Sequence, residues 1–356
     1  MTNNYEEFLQ KLNQQIQSAN EQVSRQAESY WDRIAKPLKS LGKMETMVTK
    51  IAGMRGTLNV DVSKRALIIM CADNGVVEEG VTQTGQEVTG IVAENFLDEK
   101  SCVAIMCKQT STKICPVDIG MVTDTKRVEK KKVMYGTHNF CVEPAMTRQQ
   151  AALAICYGFE KVQELFKEGV RLIATGEMGI GNTTTSSAVT AVLLQKEVEQ
   201  VTGRGAGLSQ EGLKKKITAI KKGIELHQPD EKDILDVLSK VGGLDIAGLT
   251  GVYLGCAFYQ IPVIIDGFIS GTAALCASKL NPKTLDYMLA SHCSKEAGSQ
   301  MILNELGLEA MIQGDLSLGE GSGGVLLIPI LDVATRIFKQ METFDGIHIE
   351  AYQPLN

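Results

Sequence analysis

The chain has 356 residues and a net charge of −6, with 36 Lys and Arg against 42 Asp and Glu, so its length suits two domains with a large core. Charges of both signs are interspersed, which excludes a nucleic-acid surface, and the runs Lys130-Lys131-Lys132 and Lys214-Lys215-Lys216 are too short to make one. No apolar stretch reaches the ~20 uncharged residues of a membrane span, and Met1-Thr-Asn-Asn-Tyr-Glu-Glu7 lacks a charged-then-apolar leader, so a cytoplasmic protein is expected.

Residues 1 to about 50 are rich in Gln, Glu, Lys and Ala with apolar positions at helical spacing, and Pro37 and Gly42 divide them into two or three helices. From Arg65 onward, apolar runs of strand length alternate with helical segments. Ala66–Ala72, Val103–Met106, Lys113–Val117, Val170–Ala174 and Pro262–Ile265 read as strands. Helices are predicted over Gln149–Phe166, Ala188–Gln195, Gly212–Leu226, Gly248–Gln260 and Gly271–Lys279. This alternation predicts an α/β fold, a mainly parallel sheet with helices on both faces. A last helix, Pro329 to Met341, is expected to pack on the N-terminal helices. The expected domains are therefore a small helical one, residues 1–60 with 329–356, and a large α/β one, residues 61–328.

Nine cysteines are present, none in a C-x-x-C pair, and most lie in apolar runs where a free thiol behaves as a small hydrophobe; neither a structural metal nor a disulfide is expected. His138, His227, His292 and His348 are scattered, which argues against a zinc enzyme or a Ser-His-Asp hydrolase.

Polar loops follow the predicted strands, where ligands collect in open parallel sheets. Ala72-Asp-Asn-Gly-Val-Val-Glu-Glu-Gly80 opens an excursion to Thr89 that is long enough for a binding loop or lid. Val170–Thr175 runs into Gly176-Glu-Met-Gly-Ile-Gly-Asn-Thr-Thr184 and then a helix, an arrangement in which N–H groups and the helix dipole converge on an anion. Glu177 sits beside that cradle. The spacing of Gly176, Gly179 and Gly181 matches neither the Walker loop nor the dinucleotide fingerprint, so the ligand should carry a phosphate but need not be ATP or NAD. Asp266-Gly267 follows another strand, and Ser294 is either a helix cap or a phosphate donor. Near the C-terminus, Leu318-Gly-Glu-Gly-Ser-Gly-Gly324 places one carboxylate, Glu320, in a turn whose glycines allow close backbone approach, the setting of a positioned base.

Taken together, Lys36-Pro-Leu-Lys-Ser-Leu-Gly-Lys-Met-Glu45, the 72–80 loop with Gln86-Glu-Val-Thr89, the 176–184 loop, Lys240-Val-Gly-Gly-Leu-Asp245, Asp266-Gly-Phe-Ile-Ser270, Ser291-His292 and Gly319-Glu-Gly-Ser-Gly323 resemble the nicotinate-nucleotide–dimethylbenzimidazole phosphoribosyltransferases of cobalamin lower-ligand synthesis. The resemblance covers nearly the whole chain. It implies a homodimer with a Rossmann-like large domain and a small helical domain built from both chain ends. It also implies phosphoribosyl transfer from nicotinate mononucleotide to a benzimidazole nitrogen, with Glu320 as the base and Glu177 supporting it near the ribose. By the same resemblance Gly179, Gly205, Ser294 and Gly323 hold phosphate or ribose, Lys216 contacts the nucleotide, Gln86 contacts the base, and Leu318 contacts substrate. It requires no metal and no cofactor.

One departure bears on specificity: the loop reads Gly80-Val-Thr-Gln-Thr-Gly-Gln-Glu87 where many relatives have Tyr-Pro or Ser-Pro before the Gln, which leaves benzimidazole, purine and phenol all open as acceptors. Two rival readings stand beside this one. A pyrophosphate-using phosphoribosyltransferase is faintly suggested by residues 262–272, although only Asp266 supplies an acidic group there. The other is a non-catalytic homologue that binds base or nucleotide, or serves as a subunit of a phenol-specific heterodimer.

Overall fold

A computed structural model describes residues 5–352; residues 1–4 and 353–356, the two ends of the expected small helical domain, lie outside the described residues. Six strands form one sheet: β1 (Arg65–Ala72), β2 (Lys113–Gly120), β3 (Glu129–Lys130), β4 (Leu172–Met178), β5 (Val263–Ile265) and β6 (Met288–Ala290). Their order is β3-β2-β1-β4-β5-β6, and every pair is parallel. Strand order reverses between β1 and β4, and open parallel sheets bind ligands at the carboxyl ends of strands near such a point.

β1 is buried along almost its whole length because both faces of the sheet are covered. Met70 meets Gly248 of the helix Leu244–Phe258, whereas Leu67 meets Gly321 just before the helix Ser322–Gln340. An odd separation along a strand puts these side chains on opposite faces, so the two helices lie on opposite sides of the sheet. On the first side the helix Arg148–Lys167, started by a Thr147–Gln150 capping box, packs directly on Leu244–Phe258. Gly158 and Gly251 make that approach possible, since each faces the other helix's backbone.

The N-terminal region forms three helices, Tyr5–Gln15, Glu21–Arg33 and Lys43–Arg55; Pro37 and Gly42 fall in the second break, while the first ends at Asn20, whose side chain caps Glu21–Arg33. Trp31 is buried against Phe338 of the C-terminal helix, with ring centroids 4.9 Å apart, and Ile34 bridges Thr343.

Three local readings need correction. Val103–Met106 is not a strand: it belongs to the helix Cys102–Gln109, whose Ser101 cap accepts the Ala104 N–H at 3.1 Å. A four-residue apolar run carries too little periodicity to separate the two states, and the cap decides. The last helix starts at Ser322 rather than Pro329, which lies inside it. β3 and β6, of 2 and 3 residues, are too short to leave an alternating pattern and escape the sequence reading.

Candidate functional site

Three strand ends and the 317–321 segment converge on one crevice. β4 delivers Glu177, paired across the sheet with Met70, and then turns through Gly179 and Gly181 into the helix Asn182–Leu194. β5 delivers Asp266, and Ser291-His292 follows β6. A cleft of about 250 Å³ results, walled by Glu177, Asp266, His292 and Glu320 and reaching Thr183 and Gly205.

The two glycine segments pack against each other. Gly176 faces the carbonyl of Glu320, and Gly319, at φ +83°, faces the Glu177 carboxylate. Glu320 itself adopts φ +61°, a left-handed conformation that a non-glycine residue holds only when its surroundings impose it. Its Oε2 is buried and has no hydrogen-bond partner. Burial raises its carboxyl above the ordinary range, the charge of Asp266 adds to this, and the Val103 N–H at the start of Cys102–Gln109 opposes it.

Glu177 is buried too, and the Asn182 side-chain amide donates to it while also donating to Asp245 Oδ2 at 3.0 Å. One amide thereby spends both its N–H groups on two carboxylates. Burial pushes Glu177 up to about 8, helped by Asp245, Asp266 and Glu320 and opposed by Asn182. Asp245 is pushed up to about 7, again chiefly by burial.

Of the residues singled out by sequence, Glu177, Gly179, Gly205, Ser294, Leu318 and Glu320 all line the cleft. Lys216 stands behind its wall, fully buried, donating to Thr183 Oγ1 at 2.8 Å and Gly203 O at 3.1 Å; burial lowers its pKa to about 8. Gln86 is not among the lining residues and donates to Asn74 O at 3.1 Å. Gly323 also stays outside, because its N–H is taken by Asp266 Oδ1 at 2.7 Å, with Gly324 on the same oxygen and Gly321 on Oδ2. The N–H groups of Gly321, Gly323 and Gly324, in a turn read from sequence as open to a ligand, are thus occupied by an internal carboxylate.

Asn182, Asp245, Asp266 and His292 were given no role from the sequence. Asp245 did carry a signal: it is the lone charged residue between Val241 and Ile265. A charge inside so apolar a run must be partnered on burial.

A family model described as Phosphoribosyltransferase matches residues 16–349. The chain belongs to that phosphoribosyltransferase family. Within it, the protein named nicotinate-nucleotide–dimethylbenzimidazole phosphoribosyltransferase in Acetivibrio thermocellus is 48% identical over 325 residues, covering 91% of this chain and 93% of that one. The protein of the same name in Ruminiclostridium cellulolyticum is 45% identical over 342 residues, with 96% and 97% covered. The crystal structure of CobT from Thermus thermophilus matches with a TM-score of 0.88 at 36% identity, covering 93% of this chain and 100% of that one. The cleft thus holds two buried carboxyls raised above the ordinary range, and behind it a buried lysine bonds Thr183 near the start of the helix Asn182–Leu194.

Proposed function

We propose that this chain transfers phosphoribose from nicotinate mononucleotide to 5,6-dimethylbenzimidazole, or a related lower-ligand base, giving α-ribazole 5′-phosphate and nicotinate in cobalamin nucleotide-loop assembly. The observation that carries the reading is Glu320: a carboxylate at the cleft, raised by burial, with one oxygen lacking a partner. The pyridine of the donor leaves as a neutral ring from a cationic one, so its departure needs no acid. The incoming benzimidazole attacks C1′ through one nitrogen and must lose the proton on the other, and a single carboxylate of raised pKa suits that transfer. Glu177 supports Glu320 near the ribose, and its charge faces the developing positive charge there in the form that has released the proton burial holds up to about pH 8. The phosphate takes the end formed by Gly179, Gly205 and Ser294, where the helix Asn182–Leu194 begins and Lys216 backs the wall through Thr183. Leu318 flanks the base, Gln86 contacts it once the 73–89 loop turns its amide from Asn74 O into the cleft, and Gly323 contributes through its place beside Asp266.

The working unit is a homodimer in the cytoplasm, a reading supported by the family resemblance; among the described residues no helix is long and apolar enough to cross a membrane. The described parts of residues 1–60 and 329–356 act as the small helical domain, a division supported by the Trp31–Phe338 packing. Its boundary falls within the helix Ser322–Gln340.

The test is turnover of the purified full chain with nicotinate mononucleotide, without added metal, in separate reactions with dimethylbenzimidazole, adenine and p-cresol. Nicotinate release with a new nucleoside phosphate is expected, and the three arms rank the acceptors. Donor bound in calorimetry but retained intact in all three reactions would overturn the proposal.

A further inference from the structure

We infer that Asp266 is the positioning residue for Glu320, holding the turn that carries this base through three backbone hydrogen bonds. The inference rests on the catalytic reading of Glu320 given above. Oδ2 of Asp266 accepts from Gly321 N at 3.2 Å, the residue directly after Glu320, while Oδ1 accepts from Gly323 N at 2.7 Å and Gly324 N at 3.1 Å. Both oxygens are therefore committed to one turn, and bonds from N–H groups to a carboxylate are of the stronger, charge-assisted kind.

Asp266 is in a position to impose a conformation because it is itself held. It leaves the end of β5, its N–H donates to Ser270 Oγ at 3.2 Å, and its carbonyl accepts from Ser291 Oγ at 2.9 Å. Ser270 Oγ is tied in turn to Thr175 on β4 and to the Tyr253 hydroxyl at 2.7 Å. The turn is gripped from its other side by β4, where the α-carbon of Gly176 meets the Glu320 carbonyl. A glutamate at φ +61° between these two grips is over-determined, as strained residues at working sites must be. Release of the Asp266 side would let φ of Glu320 relax toward the ordinary right-handed region and swing its carboxylate away from the cleft. Asp266 is thus a link between the central sheet and the base, beyond its part in capping the helix Ser322–Gln340.

The experiment is a double-mutant cycle on the full chain. In Asp266→Asn one acceptor oxygen becomes an NH2 facing N–H donors, which loosens the turn. A misplaced base costs rate rather than affinity, so kcat should fall roughly 10- to 100-fold. KM for nicotinate mononucleotide should move less than threefold. In a Glu320→Gln background the same change should cost little more, since the group it positions is gone. If Asp266→Asn does not fold, Ser291→Ala loosens Asp266 more gently and should show a smaller loss with the same non-additivity. An unchanged kcat, a loss confined to KM, or an equal fold-loss in both backgrounds overturns the inference. Should Glu320→Gln alone retain full turnover, the base assignment fails instead, and the two failures are told apart.

Discussion

The carbonyl of Glu320 packs so tightly on Gly176 that a Cβ at position 176 would stand 2.6 Å from its oxygen. The end of β4 and the 319–321 turn therefore fix each other's position, and both neighbours of the missing Cβ are backbone. Gly176→Ala should push the turn away from the sheet, lowering kcat at least tenfold and stability by about 1–3 kcal/mol. Steady-state kinetics beside a thermal melt check both effects; an alanine variant with full activity would mean that the turn has slack the packing does not suggest.

Glu320→Gln keeps size and hydrogen-bonding capacity but cannot take a proton. Turnover should fall ~10²- to 10⁴-fold, while nicotinate mononucleotide binds as before in calorimetry. Turnover equal to that of the parent protein would remove Glu320 from the role of base.

The buried carboxyls make stability depend on pH in a defined direction. Glu177 is raised from 4.5 to about 8, so over that interval the folded protein holds a proton that the unfolded chain has released. Its contribution is full below pH 4.5 and is lost as pH rises through 8; Asp245, raised to about 7, acts with the same sign. Glu177→Gln should therefore gain on the parent protein as pH rises, by about 1–3 kcal/mol near pH 9, since each pK unit is worth about 1.4 kcal/mol and Asp245 shares the effect. Urea melts of the two proteins across pH 5–9 read this difference. Parallel curves would show that Glu177 is ionised in the fold at neutral pH.

Lys216 is buried with its ammonium on Thr183 and Gly203, at the end of the cleft assigned to phosphate. Lys216→Met removes a charge-assisted contact worth about 1.5–3 kcal/mol, so KM for nicotinate mononucleotide should rise roughly 10- to 100-fold. Stability should hold or increase, because the cost of burying the amine disappears with it. Unchanged KM would move the phosphate elsewhere.

The apolar runs Ala66–Ala72, Lys113–Val117 and Val170–Ala174 read as strands from composition, since a strand covered on both faces is mostly apolar, and each falls on or within two residues of an observed strand. The helix predicted over Gln149–Phe166 was equally legible, within one residue of Arg148–Lys167 at each end, because periodicity over so long a stretch is a property of consecutive residues. Glycine-rich segments, one directly after a strand and one before the last apolar run, singled out Glu177 and Glu320, and both line the same cleft. Where the determinant was not local, the sequence was silent or misleading. Residues 103–106 were too few to show a period, and their helix turns an N–H toward Glu320 that a strand would not have supplied. Asn182 joins Glu177 to Asp245 across 63 residues, and Asp266 reaches Gly323 across 57. Chain composition thus determined which segments are strands, helices and site loops, because burial and backbone freedom are set residue by residue. Which N–H groups stay free for a ligand, and which carboxylates face each other, only the packed sheet decided, because those partners meet through folding and not through neighbourhood in the chain.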